Sequence, residues 1–393
     1  MLEASSPQIN LIPAMPHFIL LPDSFKGTLS SRKICSIMSE KIREIFPDAR
    51  VTSIPVADGG EGTVEAFLTA LGGRRIELPV TGPNFEKLTG FYGILPDGKT
   101  AVVEMAACAG LPLVHGKRDP EKTTTFGVGE LFLDAARNGC TKIIVGLGGS
   151  ATNDAGTGAA AACGVRFLNA NGEPFVPTGG TLGDVAKIDA SAFDPALRNV
   201  GFITMCDINN PFSGPTGAAY VFAPQKGADD AMVARLDAGL DHIGALMRDV
   251  SGGVFTPDLP GAGAAGGMGG GMCAFFGSKL QMGIETVLNT VRFDELLKTA
   301  DWVFTGEGKI DSQSLRGKVV LGVAARTQKA GVPLIAVVGD VGDEIDEAYG
   351  RGVTAIFSIN HVAVPFHIAR RRAAEDLAAE MENILRLIKV SMK

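Results

Sequence analysis

Five short segments of this sequence combine small residues with carboxylate, amide or lysine side chains. Each follows a run with strand character. They span residues 23–27, 58–63, 148–156, 207–217 and 306–317. Glycine lets backbone N–H groups approach an anion closely and tolerates positive φ. Carboxylates beside such loops are what a Mg²⁺-nucleotide site uses. Phosphoryl transfer needs a phosphate cradle, a cation, metal ligands and a carboxylate to accept the proton of the attacking hydroxyl. The five loops together contain all of these groups. The competing readings are ordinary polar loops on an α/β scaffold and a non-catalytic small-molecule sensor, which needs a pocket but not this crowd of carboxylates and lysines.

Other chemistries find less support. The P-loop pattern G-x-x-x-x-G-K-[ST] is absent, as are the H-R-D and D-F-G motifs of protein kinases. The histidines, His17, His115, His242, His361 and His367, are scattered and form no metal-binding pair. A Gly-x-Gly-x-x-Ala pattern at 146–151 follows a strand, but no acidic residue ends a second strand about 20 residues on, so a dinucleotide fold is disfavoured. There is no G-x-S-x-G elbow. The net charge of −7 argues against nucleic-acid binding. The run Arg370-Arg371-Arg372 reads as a solvated helix face. Six dispersed cysteines without a C-x-x-C pair read as buried apolar residues in a reducing cytoplasm. No membrane span or signal peptide is expected, and a homo-oligomer is left open.

The elements that must position these loops follow from periodicity. Strand, loop and helix alternate over 17–73, with strands near 17–21 and 51–56 and an apolar helical stripe at Ile34, Ile37, Met38, Ile42 and Ile45. The same alternation returns from about residue 292, with strands at 302–305, 333–338 and 353–358 and a last helix carrying Leu377, Met381, Ile384, Leu385 and Ile388. Between them lie strands at 74–80, 88–95 and 99–106, the latter two joined by an Asp97-Gly98 hairpin signal. Further strands are expected at 141–147 and 200–205. The expected fold is α/β: a flavodoxin/Rossmann-like parallel-sheet domain from residues 1–73 and 285–393, interrupted by an inserted mixed α+β domain, 74–284. Residues 1–15 read as a loose extension, and the crossings are expected near Gly72-Gly73 and 282–290.

The motifs Pro22-Asp23-Ser24-Phe25-Lys26-Gly27 and Ala57-Asp58-Gly59-Gly60-Glu61-Gly62-Thr63 resemble the opening of bacterial type I glycerate kinases. The resemblance continues through GGSATNDAG at 148–156, CDINNPFSGPTG at 206–217, PQKGA at 224–228, GAGAAGGMGGG at 261–271 and TGEGKIDSQSLRGK at 305–318. It covers the chain from His17 onward. It implies phosphorylation of D-glycerate by ATP with Mg²⁺, mostly at the 2-hydroxyl to give 2-phosphoglycerate, although 3-kinases also occur. It further implies in-line transfer in a cleft between two domains, and a lid or cradle role for 261–271.

Within that frame the residue types suggest roles. Asp58 and Glu61 flank two glycines and suit Mg²⁺ ligation, with Glu307 and Asp311 as alternatives. Lys26 suits a point charge on the transferring phosphate. Ser24, Gly148, Gly149, Ser150, Asn153, Gly306 and Gly308 suit nucleotide binding. Asp207 is preferred over Asp154 as the base. Asn209, Lys226, Arg316 and Lys318 suit glycerate, whose carboxylate needs cations or clustered N–H donors.

Overall fold

The computed structural model describes residues 15–57, 59–311 and 319–391. Strands β1 (His17–Pro22) and β2 (Arg50–Ser53) open the chain. Next come β3 (Arg74–Thr81), β4 (Lys87–Ile94), β5 (Thr100–Glu104) and β6 (Lys142–Gly146). The short strands β7 (Arg166–Leu168), β8 (Pro174–Phe175) and β9 (Lys187–Asp189) precede β10 (Gly201–Met205) and β11 (Lys279–Gln281). The chain closes with β12 (Trp302–Gly306), β13 (Leu334–Val338) and β14 (Ala355–Ser358). The fold is α/β, and the chain divides into two compact units.

The first unit takes the described residues up to Val56 and those from Leu288 on. Its sheet is wholly parallel, in the order β14-β13-β12-β1-β2. Counted within the unit, this is the 2-1-3-4-5 order of flavodoxin-like folds, whose switch point lies between the first and third strands, here β1 and β12. A parallel sheet is covered on both faces, which is why β1 reads HFILLP and is buried throughout. Helix Ser31–Ile45 starts where Ser30 accepts from the Lys33 N–H and buries Ile34, Cys35, Met38 and Ile42. The helix Phe366–Ser391 buries Leu377, Met381, Ile384 and Leu385 in the same cluster as Phe18 and Leu20.

The second unit, Ala57–Val287, holds a six-stranded mixed sheet, β11-β10-β6-β5-β4-β3, in which β11, β10, β6 and β5 are parallel. Strands β4 and β3 extend it antiparallel. The expected Asp97-Gly98 turn joins β4 to β5: Asp97 accepts from the N–H groups of Lys99 and Thr100, and Gly98 takes φ +66°. A small antiparallel sheet, β8-β7-β9, lies outside the expected strand set.

Two expectations need correction. The first unit ends at Val56, not after Gly73. Helix Thr63–Leu71 packs on β4 and β5, and its Val64 N–H donates to the buried Glu104 carboxylate at 2.9 Å. Gly73 is therefore no crossing point; a Cβ there would collide with the Ile94 carbonyl of β4. The return crossing falls at Val287, within helix Gly283–Thr290 and inside the expected 282–290 segment. The glycine-rich run, for which the resemblance implied a lid or cradle, is interior. It forms the buried helix Ala264–Phe276, whose start is unwound at Ala265, Gly266 and Gly267. A Cβ on Gly266 would lie 2.5 Å from Asn153 Cα, and one on Gly270 2.7 Å from Phe212. Glycine here serves close backbone packing.

All six cysteines are buried. Burial pushes the Cys35 thiol up to about 12 and that of Cys273 to about 11. A thiol reagent at mildly alkaline pH is expected to leave all six unmodified in the native protein and to reach them after denaturation, because the thiolate is the reactive form. Rapid native labelling of any one would contradict this burial. Among the described residues no helix is long and apolar enough to cross a membrane.

Candidate active site

In the second unit, β5, β6 and β10 end level: Glu104 is in register with Gly146, and Gly146 with Met205. Their following loops therefore emerge together. Glycine draws the loop after β6 onto the 59–63 loop. A Cβ on Gly146 would collide with the Gly59 carbonyl, and one on Gly148 would lie 2.5 Å from Gly60 Cα. The Gly148 N–H donates to Gly59 O at 2.9 Å. Gly59, at φ +83°, sits against Met205, the last residue of β10. Three of the five chemical loops thus meet at one edge of one sheet.

The next residue faces outward, and Ser150 after it is buried. Gly149 is exposed in the left-handed region at φ +78°. Neither its N–H nor that of Ser150 has an acceptor among the described residues. The Glu61 side chain runs alongside, with Cγ and Oε1 each 3.7 Å from where a Gly149 Cβ would stand. Adjacent unspent N–H groups at a strand end form an anion-binding concavity, and Glu61 adds a carboxylate suited to a cation. Asp58 lies outside the described residues.

Behind this loop the polar groups are interior. Asp154 is fully buried, and both its oxygens are taken. Oδ2 accepts from Thr125 N at 2.7 Å, Thr125 Oγ1 at 2.8 Å and Gly158 N at 3.3 Å; Oδ1 accepts from Gly156 N at 3.1 Å. Burial raises its pKa, and these donors oppose the rise. Such a carboxylate anchors the start of helix Thr157–Ala162 and has little capacity to receive a substrate proton. Asn153 is fully buried too, and its side-chain amide has no hydrogen-bond partner among the described residues. Lys226 is 2% exposed and donates to Ser150 Oγ at 2.8 Å and to Thr152 O at 2.6 Å. The structure thus places this lysine inside the unit, where it meets the loop rather than solvent.

Asp207 follows β10 and is exposed; its Oδ1 accepts from the Gly283 N–H at 2.7 Å, the first residue of helix Gly283–Thr290. Asn209 is exposed two residues on, and Asn210 turns back to donate to Thr216 O. The sequence reading overlooked Glu104 and the buried run Thr123-Thr124-Thr125. Glu104 takes Val64 N–H and has a raised pKa, chiefly from burial. Thr123 holds the Ala151 carbonyl at 2.9 Å. A lone carboxylate inside the apolar run 101–109, and three threonines just before an apolar helix, were the available signals.

In the first unit, the loops after β1 and β12 lie at the switch point. Asp23 N–H donates to Gly306 O at 2.7 Å, and a Cβ on Gly308 would lie 3.3 Å from Lys26 N. Ser24 is half-buried, its N–H on Asp23 Oδ1, and Lys26 is exposed. Glu307 is buried, and its carbonyl takes the Gly339 N–H after β13. Asp311 packs on Gly342. Ser24, Lys26, Gly306, Glu307, Gly308 and Asp311 are thus gathered at neighbouring strand ends of one sheet. Arg316 and Lys318 lie outside the described residues. Among the described residues no three His, Cys, Asp or Glu side chains are grouped to hold a metal.

Glycine loops with carboxylates at the strand ends of an α/β scaffold, taken with the similarities that follow, define the class: a kinase that transfers phosphate to an alcohol. The profile of the glycerate kinase family matches residues 18–389. The chain is 43% identical to glycerate 2-kinase of Escherichia coli (strain K12), covering 95% of this chain and 98% of that protein. It is 43% identical to glycerate kinase of Bacillus subtilis (strain 168), with the same coverage. A crystal structure from Salmonella typhimurium LT2, described as a glycerate kinase 2, superposes with a TM-score of 0.84 at 39% identity, covering 96% of this chain and 99% of that one. The chain belongs to the glycerate kinase family.

Proposed function

We propose that this protein phosphorylates D-glycerate at its 2-hydroxyl, using ATP with Mg²⁺, by direct in-line transfer in the cytoplasm. The observation that carries the proposal is the pair of unspent N–H groups at Gly149 and Ser150, held open at the ends of three parallel strands beside Glu61. Backbone donors in this arrangement suit phosphate oxygens. The choice of the 2-hydroxyl follows the Escherichia coli relative named above.

The residues fit a nucleotide-bound Mg²⁺, which is held by one or two carboxylates plus phosphate oxygens rather than by an all-protein cage. Glu61, with Asp58, would hold it in the second unit; Glu307 and Asp311 are the corresponding candidates in the first. When bound, the ion neutralises charge that builds on the phosphate oxygens. Asp207 accepts the proton of the glycerate hydroxyl, while Asp154, saturated by its four donors, keeps the loop in shape. Two ligands must be held for the transfer, and each unit, taken by itself, presents one loop set at its strand ends. Lys26, with Ser24, Gly306 and Gly308, is assigned to phosphate in the first unit. Asn209, Arg316 and Lys318 are assigned to glycerate.

Coupled ADP release with D-glycerate, ATP and Mg²⁺ tests the reaction, and phosphorus NMR of the product tests the position. A phosphorus signal coupled to the C2 proton is expected. Coupling to the C3 protons would make the enzyme a 3-kinase. Absence of ADP release with glycerate and related hydroxy acids would overturn the proposal and favour a binding protein.

A further inference from the structure

We propose that Lys226 is a positioning residue for the Gly149–Ser150 anion site: its buried side chain fixes Ser150 as an acceptor and so turns the serine hydroxyl proton outward, toward a phosphate oxygen of the nucleotide. The inference rests on the reading of that loop as a phosphate cradle.

The argument is one of donor counting. A lysine ammonium carries three donors and no acceptor. The 2.8 Å contact between Lys226 Nζ and Ser150 Oγ therefore has one polarity while the lysine is charged: Ser150 accepts. The serine's own proton must then find an oxygen elsewhere, and no acceptor among the described residues takes it. Ser150 is 8% exposed and follows the exposed Gly149, whose N–H is also unspent. The hydroxyl is thus the third donor of a set whose other two members are the Gly149 and Ser150 amides. Lys226 cannot reach a ligand comfortably itself, being 2% exposed. It is also held from behind. It ends the 3-10 turn Pro224–Lys226, the next residue is Gly227 at φ +103°, and a Cβ on Gly227 would lie 2.8 Å from Arg118 Cβ.

A buried lysine is a costly way to hold a loop, since a hydroxyl or amide would serve without a desolvated charge. What the charge adds is the fixed direction of the Ser150 proton and a positive field behind the cradle. The charged groups around it are few. Asp154, from the 150–156 loop, favours the ammonium. Arg118, from the neighbouring segment, spends a guanidinium N–H on Gln225 O at 3.2 Å. Burial dominates and brings the lysine down to about 7. A neutral amine can accept as well as donate, so above neutrality the polarity of the Ser150–Lys226 hydrogen bond is no longer fixed and the outward donor is no longer enforced.

The test measures ATP affinity by calorimetry, and KM for both substrates, in wild type, Ser150→Ala, Lys226→Met and the double variant, from mildly acidic to mildly alkaline pH. Losing a hydrogen bond to a charged oxygen is expected to weaken ATP binding by about 10- to 100-fold. The loss should be similar in both single variants and no greater in the double one, with KM for glycerate little changed. Wild-type ATP affinity should fall as pH rises through neutrality, and Ser150→Ala should flatten that dependence. Additive losses, or wild-type ATP affinity in Ser150→Ala, would overturn the proposal. If Lys226→Met fails to fold, Ser150→Ala alone decides, because it retains the lysine and its pH profile reports the coupling. Calorimetry needs no turnover, so inactivity toward glycerate would count against the proposed reaction and leave this result readable.

Discussion

Replacing Asp207 by asparagine is expected to lower kcat by about 10²–10⁴-fold, the contribution typical of general-base catalysis, with ATP and glycerate affinities little changed. The carboxylate stands immediately beyond β10, at the strand end where Gly59 packs on Met205 and brings the 59–63 loop alongside. Its Oδ1 is fixed by the Gly283 N–H at 2.7 Å. Asparagine keeps a carbonyl oxygen for that donor, so the loop and the helix Gly283–Thr290 retain their link. What it loses is the capacity to take a proton. A turnover within about threefold of wild type would remove the assignment. Asp154→Asn separates the two acids. Asp154 is buried and receives three N–H groups and one hydroxyl. An amide there turns a donor toward donors, so the thermal midpoint should fall before any specific effect on turnover appears.

Gly148→Ala is expected to reduce kcat/KM by on the order of 10²-fold with only a modest change in thermal midpoint, because a misplacement of about 1 Å in a positioning element can cost that much. The added methyl would stand 2.5 Å from Gly60 Cα and 2.8 Å from Gly60 N. Backbone atoms cannot yield as a flexible side chain does, so the two loops must part. Parting them separates Glu61 from Gly149 and strains the Gly148-to-Gly59 hydrogen bond. Gly183→Ala is the control, since a Cβ there meets nothing within 4 Å; its activity should match wild type. Equal activity in Gly148→Ala and Gly183→Ala would show that the loop contact does not position the site.

Much of the frame was legible because local pattern and burial agree. The run HFILLP reads as a strand covered on both faces, and it lies inside a parallel sheet, between β12 and β2. The stripe from Ile34 to Ile42 reads as a helix and packs as one. Asp97-Gly98 reads as a hairpin turn because Asp97 caps its own loop and Gly98 takes positive φ. Periodicity failed at helix Thr63–Leu71. It follows a strand of the first unit in sequence, but its apolar face, Val64 and Leu68, fits against Gly93 of β4. A helix pattern records that a face is buried, not against which sheet.

Residue order alone establishes which groups are present: glycine loops able to meet an anion, carboxylates and lysines beside them, and a motif order shared with one kinase family. Which of those groups are exposed and which are interior is set by the tertiary structure. Asp154 and Asp207 are both aspartates in loops after strands, yet one is saturated by four donors in the interior and the other is exposed. Lys226, expected to meet the glycerate carboxylate, is buried behind Ser150. The glycines of 261–271, for which the resemblance implied a lid or cradle, pack closely at and before the start of an interior helix. Residue type limits the hydrogen bonds and charges a side chain can offer. Which of them remain unspent depends on neighbours distant in sequence, and only folding sets those neighbours.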